Sequence, residues 1–256
     1  MTRFLLVHGA FGGAWCWEPV VPRLRSAGYD VEAIDLPGAG SDSTPLAEVT
    51  LERYAERICS ALNRTPPGPP DPPDRPALLV GQSMGGIAIT QAAARCPQRI
   101  AALIYISAFI PQPGQSLMDL TALPEAAGDQ VQANLVVDGD PPIATLPATA
   151  APQVLYHCAT EEQAAWAAKR LGPQPVAPFS QPFTAGAQPE AFAALPRAYV
   201  SCLQDRAIPV AMQRRMYRAA GCDPVIEIDT DHSPWLSRTD ELVAALDRIA
   251  RKLAPA

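Results

Sequence analysis

Basic clusters, paired-cysteine motifs and long apolar segments are all missing from this 256-residue sequence, and each absence excludes a class of protein. The net charge is -6 and the lysines and arginines are scattered, which argues against a nucleic-acid or anionic-membrane partner. No apolar run approaches the length of a membrane-spanning helix, and the first run, residues 4–8, is too short for a signal peptide. We therefore expect a partner that is a small neutral molecule.

The six cysteines are widely spaced and form no Cys-x-x-Cys motif. A chain of this length buries a sizeable core without covalent cross-links, so we expect reduced thiols and a cytoplasmic location. No motif calls for a metal or an organic cofactor. The sequence leaves the oligomeric state open between a monomer and a homodimer.

Short apolar runs alternate with helical patterns, which predicts an α/β fold with a mostly parallel, six-stranded sheet flanked by helices. The runs are continuously apolar, as in sheets that are covered on both faces. The predicted strands are residues 4–8, 31–35, 77–81, 102–107, 198–202 and 225–229. The predicted helices are residues 15–27, 51–62, 84–95, 161–171, 209–220 and 239–253.

Two segments interrupt the alternation. Residues 66–75 are rich in proline, which predicts a surface loop. Residues 110–196 are too long for a simple connection and carry isolated aromatic side chains. We therefore predict a core of residues 1–109 and 197–256, with residues 110–196 inserted as a lid over the strand ends, where open α/β sheets bind ligands.

Residues 81–85, Gly-Gln-Ser-Met-Gly, lie between a predicted strand and a predicted helix. A nucleophilic serine in such a turn needs very small neighbours on both sides, because the backbone turns sharply around it. Gly81 and Gly85 meet this requirement, which makes Ser83 the candidate nucleophile. The alternative is a glycine-rich loop in which Ser83 only caps the helix.

A serine nucleophile needs a base, and a histidine base needs an acid to orient it. His232 follows the last predicted strand and is the candidate base. Asp205 follows the preceding strand and is the candidate acid, giving the chain order Ser, Asp, His. Asp229 and Asp231 are rivals for the acid, but turn or capping roles suit them better so close to the histidine.

An acyl-transfer site also needs donors for the developing oxyanion. The backbone N–H of Met84 follows the nucleophile at a helix start and is one candidate. The second is expected from the glycine-rich loop after the first strand, at Ala10, with Phe11 as the alternative. The loop spacing fits neither a dinucleotide-binding nor a phosphate-binding motif.

These motifs together resemble the α/β-hydrolase superfamily, and within it the branch of plant methyl esterases and hydroxynitrile lyases with its bacterial esterase relatives. The resemblance extends over essentially the whole chain. It rests on residues 7–10, 15, 17, 35–38, 40–41, 81–86, 105–111, 205–209 and 231–232.

The resemblance implies a serine esterase. Lyases of this branch resemble the chain except for a threonine at the place of Gly9 and a lysine at the place of Ser233. We expect a small-molecule ester of a mostly apolar acid as substrate. The candidate pocket residues, for which ordinary core packing is the alternative, are Phe11, Trp15, Leu117, Trp166 and Phe179. The other hypotheses are a hydroxynitrile lyase, a C–C bond hydrolase using the same three residues, and a non-catalytic ligand-binding protein.

Overall fold

The strands of the computed structural model, which describes residues 1–64 and 75–254, form two sheets. In chain order they are β1 (Arg3–Val7), β2 (Asp30–Ile34), β3 (Ala77–Ser83), β4 (Ile100–Ala108), β5 (Val136–Asp138), β6 (Ile143–Thr145), β7 (Gln174–Pro175), β8 (Arg197–Cys202) and β9 (Val225–Ile228). The main sheet is parallel throughout and has the order β2-β1-β3-β4-β8-β9. The predicted fold class and all six predicted strands are confirmed.

The two faces of the main sheet bury two separate apolar layers. Along β1, Leu5 and Val7 belong to one layer, while Phe4 and Leu6 belong to the other. All five residues of β1 are buried. Alternate side chains of a strand point to opposite faces, so a strand covered on both sides needs apolar residues at every position. This explains the continuous apolar runs in the sequence.

Twelve α-helices occur among the described residues. They are α1 (Val21–Ser26), α2 (Leu51–Leu62), α3 (Gly85–Arg95), α4 (Leu117–Thr121), α5 (Gln130–Asn134), α6 (Ala151–Leu155), α7 (Glu161–Ala168), α8 (Ala177–Ser180), α9 (Pro189–Ala193), α10 (Val210–Ala219), α11 (Pro234–Ser237) and α12 (Thr239–Leu253). Helix α3 begins at the predicted nucleophile turn and is buried over nearly its whole length. It therefore holds that turn in a rigid setting.

One predicted helix is divided in the structure. The predicted helix at residues 15–27 is a 3-10 helix, Ala14–Trp17, followed by the separate helix α1. Pro22 occupies the first turn of α1, where a missing N–H is tolerated. A proline further inside the predicted helix would remove a hydrogen bond, so the helix restarts at this point.

The segment between β4 and β8 contains six short helices, α4 to α9, and the second sheet, whose antiparallel order is β5-β6-β7. The sequence predicted only one helix here, residues 161–171, which is observed as α7. The second sheet was missed because its strands are two or three residues long. We refer to residues 110–196 as the inserted segment. Of the proline-rich run at residues 66–75, residues 66–74 lie outside the described part of the chain.

Two cysteines form a disulfide, so the expectation of six reduced thiols is wrong. Cys59 of α2 and Cys96 at the end of α3 are joined, with their Cα atoms 6.2 Å apart, a usual separation for a disulfide. The pair is separated by 37 residues in sequence, and the packing of α2 against α3 brings it together. Cellular location stays a prediction. Among the described helices, none is both long and apolar enough to cross a membrane.

Candidate active site

The turn between β3 and α3 holds Ser83 in the left-handed region, with φ at 56°. Two close approaches explain the flanking glycines. A Cβ atom on Gly81 would lie 2.7 Å from the carbonyl oxygen of Gly85, and one on Gly85 would lie 2.7 Å from that of His8. Both distances are well inside van der Waals contact. The turn therefore has the strained strand-to-helix form that a nucleophile elbow requires.

His232 and Asp205 lie on the loops that follow β9 and β8, at the same edge of the sheet as Ser83. The Nδ1 atom of His232 donates to Oδ2 of Asp205 over 2.8 Å, and both residues are buried. This bond fixes the imidazole tautomer and leaves Nε2 as the nitrogen that can accept a proton. The backbone carbonyl of His232 also accepts from Nε2 of Gln82, beside Ser83, over 3.0 Å.

The carboxylate of Asp205 is held by donors on both oxygens. Its Oδ1 atom accepts from the backbone N–H groups of Ala207 at 2.7 Å and Ile208 at 2.9 Å. Its Oδ2 atom accepts from Nε2 of Gln213 at 3.2 Å and from the Ser107 hydroxyl, in addition to the histidine. The carboxylate therefore has one orientation toward the ring.

The rival carboxylates have other partners. Asp231 is buried and accepts from the backbone N–H of Cys158 at 2.7 Å and from the Ser237 hydroxyl at 2.8 Å. Asp229 accepts from Nε2 of Gln204 at 2.9 Å. Asp231 therefore connects two loops, and neither carboxylate is bonded to the His232 ring in the described part of the chain.

Two opposing effects act on the pKa of His232. Burial by itself lowers this pKa, because the charged imidazolium loses its hydration. The charge of Asp205 and its hydrogen bond favour the imidazolium, with smaller contributions from Asp231 and Asp129. The attraction exceeds the burial penalty, and the pKa is raised above its ordinary value. A base of this kind stabilises the proton it takes from a nucleophile.

Ser83 and His232 line one cavity of about 210 Å³ between the sheet edge and the inserted segment. Its walls are mostly apolar, and no lysine or arginine of the described residues contributes to it. Asp129 of the inserted segment is the one carboxylate in the wall. Burial raises the pKa of Asp129, although Val131 and Gln132 N–H groups bond to it. The cavity therefore suits small, mainly apolar molecules.

Ala10 and Met84, the predicted oxyanion donors, both line this cavity. Neither backbone N–H donates in the turn, loop and capping hydrogen bonds of the described residues. His8 supports the loop that carries Ala10. Its Nε2 atom accepts from the backbone N–H of Leu36 at 3.1 Å, so Nδ1 carries the proton and donates to the carbonyl of Gly9 at 2.7 Å. Because the burial of His8 lowers its pKa, this ring stays neutral.

Phe11, the alternative oxyanion residue, also lines the cavity and has a φ of 63°. Its carbonyl accepts from the backbone N–H of Gly172 in the inserted segment over 2.8 Å. The first loop and the inserted segment are thus joined directly at the cavity wall. The oxyanion assignment stays a prediction.

Three of the five predicted pocket residues, Phe11, Leu117 and Phe179, line the cavity. Trp15 and Trp166 do not, and their prediction as cavity walls is corrected. Their rings pack edge to face against each other with centroids 5.5 Å apart, and the Arg170 guanidinium covers Trp166 at 4.1 Å. These two indoles pack together beside the cavity and do not form its surface.

Sequence reasoning missed three polar residues that hold the site. Gln82 directly precedes Ser83, Ser107 is the last residue but one of β4, and Gln213 lies in α10. All three are buried. Gln82 and Ser107 were inside motifs that carry the family resemblance, but neither motif pointed to a role for these side chains, and nothing in the sequence distinguishes Gln213 from an ordinary helix residue. In the described ranges, no cluster of His, Cys, Asp or Glu has the makings of a metal site.

The alpha/beta hydrolase family model matches residues 4–245. The chain belongs to the alpha/beta hydrolase family. This hydrolase is 31% identical to methylesterase 7 of Arabidopsis thaliana, over 98% of the chain and 97% of that protein. It is 30% identical to polyneuridine aldehyde esterase of Rauvolfia serpentina, over 95% of the chain and 94% of that protein.

A crystal structure of polyneuridine aldehyde esterase matches the hydrolase with a TM-score of 0.84, covering 98% of the chain and 99% of that structure. The hydrolase spans 65% of the length of another relative, the putative chloroplastic methylesterase 11 of Arabidopsis thaliana. The expected resemblance to plant methyl esterases is confirmed. The relatives carry the names of esterases and hydrolases, which supports a carboxylic ester hydrolase.

Proposed function

We propose that the hydrolase cleaves esters of small, mostly apolar carboxylic acids through an acyl-enzyme intermediate on Ser83. The observation that carries the proposal is the buried hydrogen bond between His232 and Asp205 at the edge of a cavity that also contains Ser83. Because Nδ1 is bonded to the carboxylate, Nε2 is the nitrogen that can serve as base.

In the first half of the reaction, Nε2 of His232 takes the hydroxyl proton of Ser83, and the serine oxygen attacks the ester carbonyl. The N–H groups of Met84 and Ala10 bind the oxyanion that forms. His232 then gives its proton to the departing alcohol. In the second half, water attacks the acyl-enzyme by the same route, which releases the acid and restores Ser83.

The size and polarity of the cavity support the substrate class. Its volume of about 210 Å³ is below the range of about 300–1,000 Å³ that is usual for sites binding drug-sized ligands. The wall is largely apolar. The inserted segment supplies much of that wall, including Leu117 and Phe179, and we propose that it acts as a lid.

The structure around Gly9 argues against the lyase alternative. A Cβ atom on Gly9 would lie 2.8 Å from Cβ of Ser83 and would overlap Oε1 of Gln82. The threonine found in the lyases that resemble this chain therefore has no room here. Ser233, which takes the place of the lyase lysine, lines the cavity without adding a cation.

The test combines active-site labelling with turnover. A fluorophosphonate should add one label to the wild type, on Ser83, and none to Ser83→Ala. Ser233→Ala removes the other serine of the cavity wall and should still be labelled. A panel of aryl esters graded by acyl length and charge should show a burst of alcohol release and a preference for short apolar acyl groups.

Three results would contradict the proposal. Absence of labelling would favour a ligand-binding protein. Cleavage of cyanohydrins or diketones in preference to esters would favour the lyase or the C–C hydrolase. Preference for charged or long polymeric acyl groups would contradict the substrate class.

A further inference from the structure

Ser107 occupies an unusual backbone position at the end of β4. Its φ is 41°, and it is fully buried. The pairing of β3 with β4 shifts its register between Gln82 and Ser83, so that Ser83 pairs with Ala108 and leaves Ser107 as an extra residue. A residue other than glycine is strained in the left-handed region, and such positions persist where the surrounding structure enforces them.

The Ser107 hydroxyl contacts both members of the Asp205–His232 pair. It donates to Oδ2 of Asp205, and its oxygen lies 3.3 Å from Nδ1 of His232. A carboxylate only accepts hydrogen bonds, and Nδ1 already donates its proton to Asp205. The one hydroxyl proton of Ser107 is therefore directed to the carboxylate, while the lone pairs of its oxygen face the Nδ1–H.

This arrangement matches what the reaction needs. When His232 takes a proton on Nε2, positive charge spreads over the ring, and the Nδ1–H becomes a stronger donor. It then faces the carboxylate and the hydroxyl oxygen, both of which are already in place. Fixed acceptors of this kind stabilise a developing charge without reorganisation.

We infer that Ser107 is a positioning residue for this hydrolase, holding Asp205 and the His232 ring in the geometry that proton transfer requires. The inference rests on the proposed function, since it concerns the same triad. Ser107 does not line the cavity and acts through Asp205. Its contribution should therefore appear in kcat and not in KM.

The experiment compares Ser107→Ala and Ser107→Gly with the wild type in steady-state ester hydrolysis. Rates are expressed per active site, counted by fluorophosphonate titration, so that unfolded protein does not enter the comparison. Both variants lose the hydroxyl, while glycine also accepts the positive φ without strain. We expect kcat to fall about tenfold or more in both, as for loss of a hydrogen bond to a charged group, with KM unchanged.

Tyr105→Phe is the matched control. Tyr105 lies on the same strand, is fully buried, and its hydroxyl bonds to Oγ1 of Thr90 at 2.9 Å, away from the triad. This variant also removes one buried hydroxyl from β4. We expect its kcat to stay within about twofold of the wild type.

A double-mutant cycle separates positioning from general structural support. In the Asp205→Asn background, Ser107→Ala should change kcat by less than about twofold, because the carboxylate through which it acts is already lost. A full loss in both backgrounds would overturn the inference. So would a kcat within about twofold of the wild type in Ser107→Ala, or a loss in Ser107→Ala that Ser107→Gly does not share. If Ser107→Ala does not fold, Ser107→Gly carries the cycle.

Failure of the inference differs from failure of the proposed function. Wild-type and Ser83→Ala proteins are assayed in parallel. If the wild type shows no ester hydrolysis that depends on Ser83, the proposed function is wrong. If it does, and Ser107→Ala behaves like Tyr105→Phe, only the positioning role is wrong.

Discussion

The edge of the main sheet and the inserted segment form opposite sides of one cavity, and they are built differently. At the sheet edge, the polar side chains that hold the site are buried and bonded to one another. In the inserted segment, β5 is exposed along its whole length, and Met118 of α4 is 50% exposed. Under the proposed function, the rigid sheet edge would hold the reacting groups, and the more exposed inserted segment would select the substrate.

Several polar contacts join the two sides, and two of them reach the loop that follows β8. The backbone N–H of Gln130 donates to the carbonyl of Arg206 at 2.8 Å, and Arg206 reaches the carbonyl of Gln153 at 3.0 Å. Arg206 directly follows Asp205, the proposed acid. The inserted segment is therefore connected directly to the loop that carries Asp205. Substitutions on the two sides should affect different kinetic constants.

The largest effect is expected at Ser83, the proposed nucleophile. Ser83→Ala removes the atom that forms the acyl bond, and ester turnover should fall by about 10⁴-fold or more. Steady-state kinetics on a short aryl ester measure the loss. Ser60 is an exposed serine on α2, and Ser60→Ala should leave the rate unchanged, as the control for removal of a serine. Full activity in Ser83→Ala would show that ester hydrolysis does not use the serine at this edge of the sheet.

Asp205→Asn should lower kcat by about 10⁴-fold. It should also move the acid limb of the kcat/KM profile to lower pH. The hydrolysis needs neutral His232, and the Asp205 charge raises the pKa of this histidine, so its loss lowers that pKa. Rates measured across the pH range test both effects. Asp229→Asn, an exposed carboxylate near the base, should leave both unchanged. An acid limb that moves to higher pH would contradict the assigned cause.

Glycine-to-alanine substitutions at two positions compare how tightly the two sides are packed. At Gly86 in α3, a Cβ atom would overlap the carbonyl oxygen of Phe109 and lie 3.0 Å from Cβ of Ala108. Gly86→Ala should therefore lower the free energy of unfolding by about 3 kcal/mol. At Gly172 in the inserted segment, the nearest atom would be the Phe11 carbonyl oxygen at 4.0 Å, so Gly172→Ala should cost little. Denaturant unfolding measures both, and equal losses would contradict the comparison.

Two half-exposed side chains test selection by the inserted segment. Met118 is 50% exposed and lines the cavity, whereas Val136 is 51% exposed and does not. Met118→Ala should raise KM for an apolar ester about tenfold or less without changing kcat, because only apolar contact with the substrate is lost. Val136→Ala should leave KM unchanged. A change in kcat in Met118→Ala would show that the inserted segment takes part in the chemistry.

The smallest effect is expected at Asp129. Asp129→Asn keeps a good helix cap but removes the one carboxylate of the inserted segment that lines the cavity. At a pH above the raised pKa of Asp129, the exchange should improve kcat/KM for an anionic acyl group relative to its neutral isostere by a few-fold. Asp138→Asn, exposed on β5 and outside the cavity wall, is the control. An unchanged ratio would exclude charge selection at this wall.

The main sheet could be predicted from the sequence, whereas most of the inserted segment could not. The strands of the main sheet were predicted because burial on both faces demands unbroken apolar runs. Ser83, Asp205 and His232 could be proposed together because each lies at or just after the carboxyl end of a strand, and parallel strands end at one edge. The second sheet was missed because its strands are very short, and strand β5 has no buried residue.

Other features depend on contacts between distant parts of the chain. The disulfide between Cys59 and Cys96 follows from how two helices pack, which no local pattern encodes. Trp15 and Trp166 were assigned to the cavity by residue type, but in the structure their rings pack against each other. Ser107 belongs to one of the motifs of the resemblance, but the motif does not say what its hydroxyl contacts. Those contacts form only where the loops after β8 and β9 meet, at Asp205 and His232.

Gln82 imposes an order on any attempt to redesign this enzyme as a lyase. Its side-chain oxygen fills the space that a residue larger than Gly9 would need, while its amide nitrogen anchors the His232 carbonyl. Gly9→Thr introduced first would displace the Gln82 side chain and with it the loop that carries His232, the proposed base. Shortening Gln82 first would make room but release the loop that the base depends on. Each single substitution is therefore expected to impair the enzyme. Laboratory evolution toward a lyase would need to change residues 9 and 82 together.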